Sequence, residues 1–212
     1  RYLMKLAIFG STGKVGRQVM AQAAEKAHDV TAHARSPEKL EHLHANVVVA
    51  KGDVLDYDSV LKTVQGQDAV VCALGMPLLN KDGLRTNGTR NIIRAMEDTG
   101  AKRLICLSGL GAGDSFQKLP PFYRYFVFPV ILRHVFADHE TQEALVRNSR
   151  LDWTIARPGN FRDGDLTGTY QHGFSDIDKS LKLKISYADV ADFMLKQLGD
   201  DTYLHQAPGL SY

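Results

Sequence analysis

Apolar positions along the chain fall into short runs separated by longer amphipathic stretches. Met4–Phe9 predicts a buried strand, and Lys14–Lys26 behind it carries apolar residues at helical spacing. The alternation continues with strands at Val30–His33, Val47–Ala50, Ala69–Ala73 and Leu104–Leu107. Between them lie a short helical turn at Pro37–His42 and helices at Ser59–Val64 and Leu84–Asp98. Proline suits the first helical position at 37, Asp58 or Ser59 suits the cap of the next helix, and Gly100 the stop after Asp98. Pro120–Asn148 reads as mostly helical, kinked or broken at Pro129. Trp153–Ala156 gives a sixth strand, Leu183–Ile185 a seventh, and Tyr187–Leu198 a last helix. Near-continuous apolar strands alternating with helices need cover on both faces. The pattern therefore predicts an α/β fold: a single doubly wound parallel sheet with helices on both faces.

No internal repeat, low-complexity tract or linker divides the chain, so one domain is expected over residues 4–212. Arg1–Leu3 reads as vector residue or an upstream start. With 44% hydrophobic and 24% charged residues the composition is that of an ordinary globular protein, and disorder is excluded. Lys+Arg 26 against Asp+Glu 24 leaves no one-signed surface to draw nucleic acid or anionic lipid. Cys72 and Cys106 each sit in an apolar run, which reads as two small core side chains rather than a redox pair or metal ligands. That rules out a disulfide framework and fits a reducing cytoplasm. The most apolar stretch, Phe122–Ala137, is interrupted by Arg124, Pro129 and Arg133 and falls short of the ~20 residues a spanning helix needs.

The chemistry begins at Gly10-Ser11-Thr12-Gly13-Lys14-Val15-Gly16, between the first strand and the first helix. A dinucleotide pyrophosphate needs close backbone approach at a helix N-terminus, where free N–H groups and the helix dipole favour anions. The GxxGxxG spacing differs from GxGxxG, but its place after a strand and before a helix, in the first βαβ unit, supports that reading over a plain structural turn. At the end of the second strand an NAD site would carry Asp or Glu for the ribose 2′-hydroxyl. This chain has Ala34-Arg35-Ser36, which suits a 2′-phosphate, so NADP(H) is expected over NAD(H) unless Arg35 is only a surface charge. Asp53 and Val54 follow the third strand, for the adenine or, in the case of Asp53, merely for a turn after Gly52. Leu74-Gly75-Met76 follow the fourth, where Gly75 permits close approach to a ribose.

On these residues the chain resembles the atypical short-chain dehydrogenase/reductase superfamily, and within it the NmrA-like NAD(P)H-binding group that includes the biliverdin-IXβ or flavin reductases. The resemblance rests on Ile8-Phe9-Gly10-Ser11-Thr12-Gly13, His33-Ala34-Arg35-Ser36, Gly52-Asp53-Val54-Leu55, Gly66-Gln67-Asp68-Ala69-Val70 and Leu151-Asp152-Trp153-Thr154-Ile155-Ala156-Arg157-Pro158-Gly159, with Asp165–Tyr170 beyond. It implies a Rossmann fold, an active-site serine at Ser108, and a nicotinamide beside Pro158-Gly159-Asn160. Where the flavin reductases carry a histidine this chain has Asn160.

The superfamily's usual Tyr-x-x-x-Lys is missing: no tyrosine has a lysine four residues on, and His139 falls near where the lysine would be. An alcohol/ketone reaction needs a positioned acid/base. Hydride delivery to a conjugated acceptor does not, because charge spreads over the acceptor and solvent supplies the proton. A flavin, biliverdin-like or quinone-like acceptor is therefore expected, with flavin as substrate rather than prosthetic group. Ser108 reads as an active-site hydroxyl or a turn cap, and His139 as a proton donor or a surface helix residue. Segments 109–137 and 159–180 are the expected substrate side. The aromatic run from Pro120 suggests a lid, a core helix or a dimer surface, leaving monomer and homodimer open. A non-catalytic NADP(H) sensor acting through a protein partner is the alternative.

Overall fold

The computed structural model describes residues 3–40, 43–75, 83–122, 124–125, 133–174, 176–178 and 180–212, and within 133–136 the backbone only. The chain runs β1 (Lys5–Phe9), α1 (Lys14–Glu25), β2 (Asp29–Ala34), β3 (Val47–Lys51), α2 (Tyr57–Val64), β4 (Ala69–Cys72), α3 (Leu84–Thr99) and β5 (Arg103–Leu107). It continues through α4 (Arg133–Arg147), β6 (Asp152–Pro158), β7 (Asn160–Arg162), β8 (Gln171–His172), β9 (Lys184–Ser186), α5 (Tyr187–Lys196) and β10 (Gly209–Ser211). Eight strands form one sheet in the order β3-β2-β1-β4-β5-β6-β10-β8. The chain winds outward from β1 to β3, then returns to β4 and winds the other way. This makes the fold doubly wound, with its switch point between β1 and β4.

Period-two alternation in the strands explains the layers. Leu6 and Ile8 of β1 join Val19 and Met20 of α1 and Phe193 and Met194 of α5 in one core. Ala7 and Phe9 face the other way, into a second core with Val60 of α2, Ile92 and Met96 of α3 and Val146 of α4. Cys72 and Cys106 lie opposite each other on β4 and β5, both buried thiols.

Several expected boundaries move for local reasons. The cap of α2 is Asp56, whose side chain accepts from the Asp58 N–H, so the helix starts before Asp58 and Ser59. Strand β3 is an edge strand with Val48 66% exposed, not a fully buried run. The sheet is not wholly parallel, since β8 pairs antiparallel with β10 at the far edge. The seventh expected strand lies at Lys184–Ser186 and pairs with β7 in a separate two-stranded sheet instead of the main one. Strands of two or three residues such as β8 and β10 are defined by their partners, so no periodicity announces them. A 3-10 helix at Gly113–Lys118 lies in the expected substrate-side segment 109–137. Pro129 and the end of the expected turn at 41–42 lie outside the described residues. Among the described residues no helix is long and apolar enough to cross a membrane.

Phe193 is 1% exposed at the centre of the α1–α5 face. Phe193→Ala is expected to lower unfolding free energy by about 3–5 kcal/mol in urea titration with an unchanged slope.

Candidate functional site

The carboxyl ends of β1, β2 and β4 border a cleft of about 360 Å³. Gly10, Thr12 and Gly13 line it from the first loop, His33, Ala34 and Arg35 from β2, and Val54, Leu74, Gly75 and Leu84 from the opposite side. Two glycines in the loop are required sterically. Gly10 adopts φ +80°, and a Cβ there would collide with the Ala73 carbonyl. A Cβ on Gly16 would collide with the Gly10 carbonyl, so only glycine lets α1 start this close to β1. The first turn of α1 holds no acidic residue, which leaves its dipole uncompensated toward the cleft. These features fit a dinucleotide phosphate.

The other loop residues divide by what their side chains already do. The Ser11 hydroxyl is buried and donates to the His33 carbonyl at 2.7 Å, and Val15 is packed in the core, so each offers a ligand its backbone. Lys14 is exposed, 3.0 Å from Asp163 and 4.9 Å from the Tyr187 ring centre; its hydrogen bond to Asp163 raises its pKa. Arg17, not singled out from the sequence, donates to the carbonyls of Thr12 (3.0 Å) and Lys39 (2.6 Å). It thereby fastens the glycine loop to the turn that carries Arg35 and Ser36. Arg35 is exposed, and the Ser36 hydroxyl makes no capping bond to the 3-10 turn it precedes.

Asp53 accepts the Leu55 N–H at 2.9 Å through Oδ1, so it does form a turn, and it is not among the residues lining the cleft. His33 packs on Phe9 and meets the Ser59 hydroxyl at 3.0 Å; burial lowers its pKa. Met76 lies outside the described residues, as do Tyr123, Phe126 and Phe128 of the aromatic run. Of that run, Phe122 is 65% and Tyr125 62% exposed.

Beyond β5 and β6 the structure brings together residues distant in sequence. Ser108 follows β5, is 2% exposed, and its Oγ lies 3.3 Å from His139 Nδ1 on α4. Neither residue is among those lining the cleft above. His139 is 8% exposed rather than a surface residue. Burial, aided by the positive charge of Arg85, pushes its pKa down to about 3, so the imidazole is neutral at ordinary pH. Arg85 itself is buried, donates to the Leu74 carbonyl at 3.2 Å, and faces Asp138 at 3.6 Å.

Sequence reading missed the partners of Ser108. Its hydroxyl donates to Glu143 at 2.7 Å, and Glu143 is held by Arg157 through two bonds of 2.9 and 2.6 Å. Arg157 also reaches Asp114 at 2.8 Å. Burial opposes the Arg157 charge, but the bonds to Glu143 and Asp114 outweigh it and raise the pKa. A signal existed: an arginine within the apolar run Trp153–Pro158 demands a buried acid, and Glu143 stands one helical turn from His139. Pro158 and Gly159 are fixed by backbone bonds to Leu110 and Leu210, while the Asn160 side chain is exposed on β7.

A family profile described as NAD(P)H-binding matches residues 10–201. The uncharacterised protein YwnB of Bacillus subtilis is 28% identical over 92% of this chain and 92% of its own length. Among solved structures, the oxidoreductase YlbE of Lactococcus lactis superposes with a TM-score of 0.83 at 22% identity, covering 98% of this chain and 90% of that one. ChuY of Escherichia coli, described as an anaerobilin reductase, gives 0.79 at 24% identity over 97% and 96%. At these identities the two structures share the fold with this chain.

The depressed histidines give a pH dependence with a definite sign. His139 has a folded pKa of about 3 against 6.5 for the free side chain, and His33 shifts the same way. Unfolding therefore takes up protons below pH 6.5, and stability present above that pH is lost as pH falls toward 3. Thermal melts in buffers between about pH 7 and 4.5 should show a falling midpoint, with a shallower fall in His139→Gln. Equal slopes for the two proteins would contradict this.

Proposed function

The chain belongs to the NAD(P)H-binding family, and on that premise we propose that it is an NADPH-dependent reductase passing hydride to a flavin, biliverdin-like or quinone-like acceptor. The observation that carries the reading is the cleft at the switch point. One wall is a glycine loop opening a helix, and the neighbouring strand end presents Arg35 and Ser36 where an NAD site would present a carboxylate. A guanidinium there pairs with a ribose 2′-phosphate and would be left without that partner by NADH. Gly10 and Gly16 let β1, β4 and the start of α1 close up beneath the cleft, where the helix N-terminus would take the pyrophosphate, and Val54 and Leu74 would supply apolar surface for the adenosine half.

The nature of the acceptor follows from the acid/base groups at the other end. When bound, a reduced nicotinamide supplies the hydride. His139 is neutral, and Ser108 donates its proton to Glu143, so neither supports strong acid catalysis. An acceptor that delocalises the arriving charge takes its proton from solvent, and the protein contributes orientation. The ChuY likeness, as a likeness of fold, is compatible with such an acceptor.

A specific observation favours a second reading, that of a dinucleotide-binding sensor without turnover: Ser108 is 2% exposed and bonded inward. The test is the loss of NADPH absorbance with purified protein and FMN, riboflavin, biliverdin or a quinone, with NADH in parallel. The reductase reading expects turnover on at least one acceptor, faster with NADPH. Arg35→Asp should cut kcat/KM for NADPH by about ten- to a hundredfold and leave NADH little changed. Tight dinucleotide binding with no turnover on any acceptor would overturn the reductase and leave the sensor.

A further inference from the structure

We propose that Glu143, clamped by Arg157, fixes the Ser108 proton inward, so that Ser108 offers its ligand a lone pair and selects a hydrogen-bond donor there: the carboxamide NH2 of the nicotinamide. This rests on the dinucleotide reading above and makes Glu143 a positioning residue.

The assignment follows from counting donors and acceptors. Glu143 Oε1 accepts from Arg157 Nε at 2.9 Å and from Ser108 Oγ at 2.7 Å, and Oε2 accepts from the Arg157 terminal nitrogen at 2.6 Å. A carboxylate gripped by both teeth of a guanidinium fork is an acceptor only, so the single hydroxyl proton of Ser108 must point at it. The side chains of Glu143 and Arg157 are 4% and 3% exposed, so water does not compete for that geometry. His139 Nδ1 lies 3.3 Å from the same Oγ. With the serine proton committed to Glu143, this contact requires the Nδ1–H tautomer, in which the imidazole donates.

Ser108 Oγ then has one lone pair used by His139 and one remaining. A ligand carbonyl oxygen placed there would meet a lone pair and be repelled, whereas an N–H would be bound. Ser108 follows β5, between β4 and β6, at the carboxyl edge where ligands of open parallel sheets lie. The one donor that every nicotinamide dinucleotide carries on its reactive ring is the carboxamide NH2. Through this bond the serine would set the rotation of the ring, and so which ring face is offered to the acceptor.

The experiment is calorimetric titration of the intact protein with NADP+ and two oxidised analogues, which needs no turnover. The 3-acetylpyridine analogue keeps the carbonyl and replaces NH2 by methyl, while the thionicotinamide analogue keeps NH2 and replaces the carbonyl oxygen by sulfur. We expect the acetylpyridine analogue to bind about five- to tenfold more weakly than NADP+, and the thionicotinamide analogue within about twofold. In Ser108→Ala, and in Glu143→Asp, the acetylpyridine discrimination should shrink below about twofold. Glu143→Asp retains the charge that Arg157 requires but falls one methylene short of Ser108, which separates positioning from folding. Combining the two substitutions should add nothing further to the loss.

Discrimination against the thionicotinamide analogue alone would mean that Ser108 donates to the carbonyl, and it would overturn the proposal. So would an unchanged discrimination in Ser108→Ala, a comparison that stands even should the Glu143 variant not fold. Failure of the wild-type protein to bind NADP+ at all would instead overturn the dinucleotide reading, and this inference with it.

Discussion

Two backbone oxygens set the shape of the glycine-loop end of this molecule. The carbonyls of Ala73 and Gly10 occupy the space that a Cβ at positions 10 and 16 would need. Because both positions are glycine, β1, β4 and the start of α1 close to backbone contact at the point where the sheet reverses its winding. Everything else at the site is arranged around that contact. Ser11 ties the loop to β2, and Arg17 ties it to the turn bearing Arg35 and Ser36. The helix dipole thus faces a crevice whose walls are fixed by hydrogen bonds made before any ligand arrives.

The second organising interaction is the buried Arg157–Glu143 pair. An ion pair at this depth adds little net stability, since removing both charges from water offsets most of the attraction. Its value here is directional. With Arg157 on both its oxygens, Glu143 holds Ser108 through Oε1 as well, and α4, β5 and β6 are registered against one another by a single polar cluster. Removing Glu143 would leave Arg157 its bond to the exposed Asp114, whereas removing Arg157 would take both forked bonds from a deeply buried carboxylate.

The fold and the glycine loop were legible in the sequence because both are local patterns. Strand alternation sorts Leu6 and Ile8 from Ala7 and Phe9 before any contact is known, and the glycine spacing marks a strand-to-helix turn. The placement of His139 was not legible: beside Asp138 and Glu140 it reads as a surface residue, and it is buried because Ser108 lies 31 residues earlier on another element. The partners of Ser108 were hidden for the same reason. The short strands β7, β8 and β10 escaped because two or three residues carry no period, and their existence depends on which neighbour pairs with them.

The central claim is that Arg35 and Ser36 meet a 2′-phosphate at the mouth of the cleft. Direct calorimetric titration of the unmodified protein with NADPH and NADH, at low and at moderate salt, tests it most plainly. The account predicts NADPH binding at least about tenfold tighter, with the advantage narrowing as salt screens the phosphate–guanidinium pair. Equal affinity, or a preference for NADH, would contradict it.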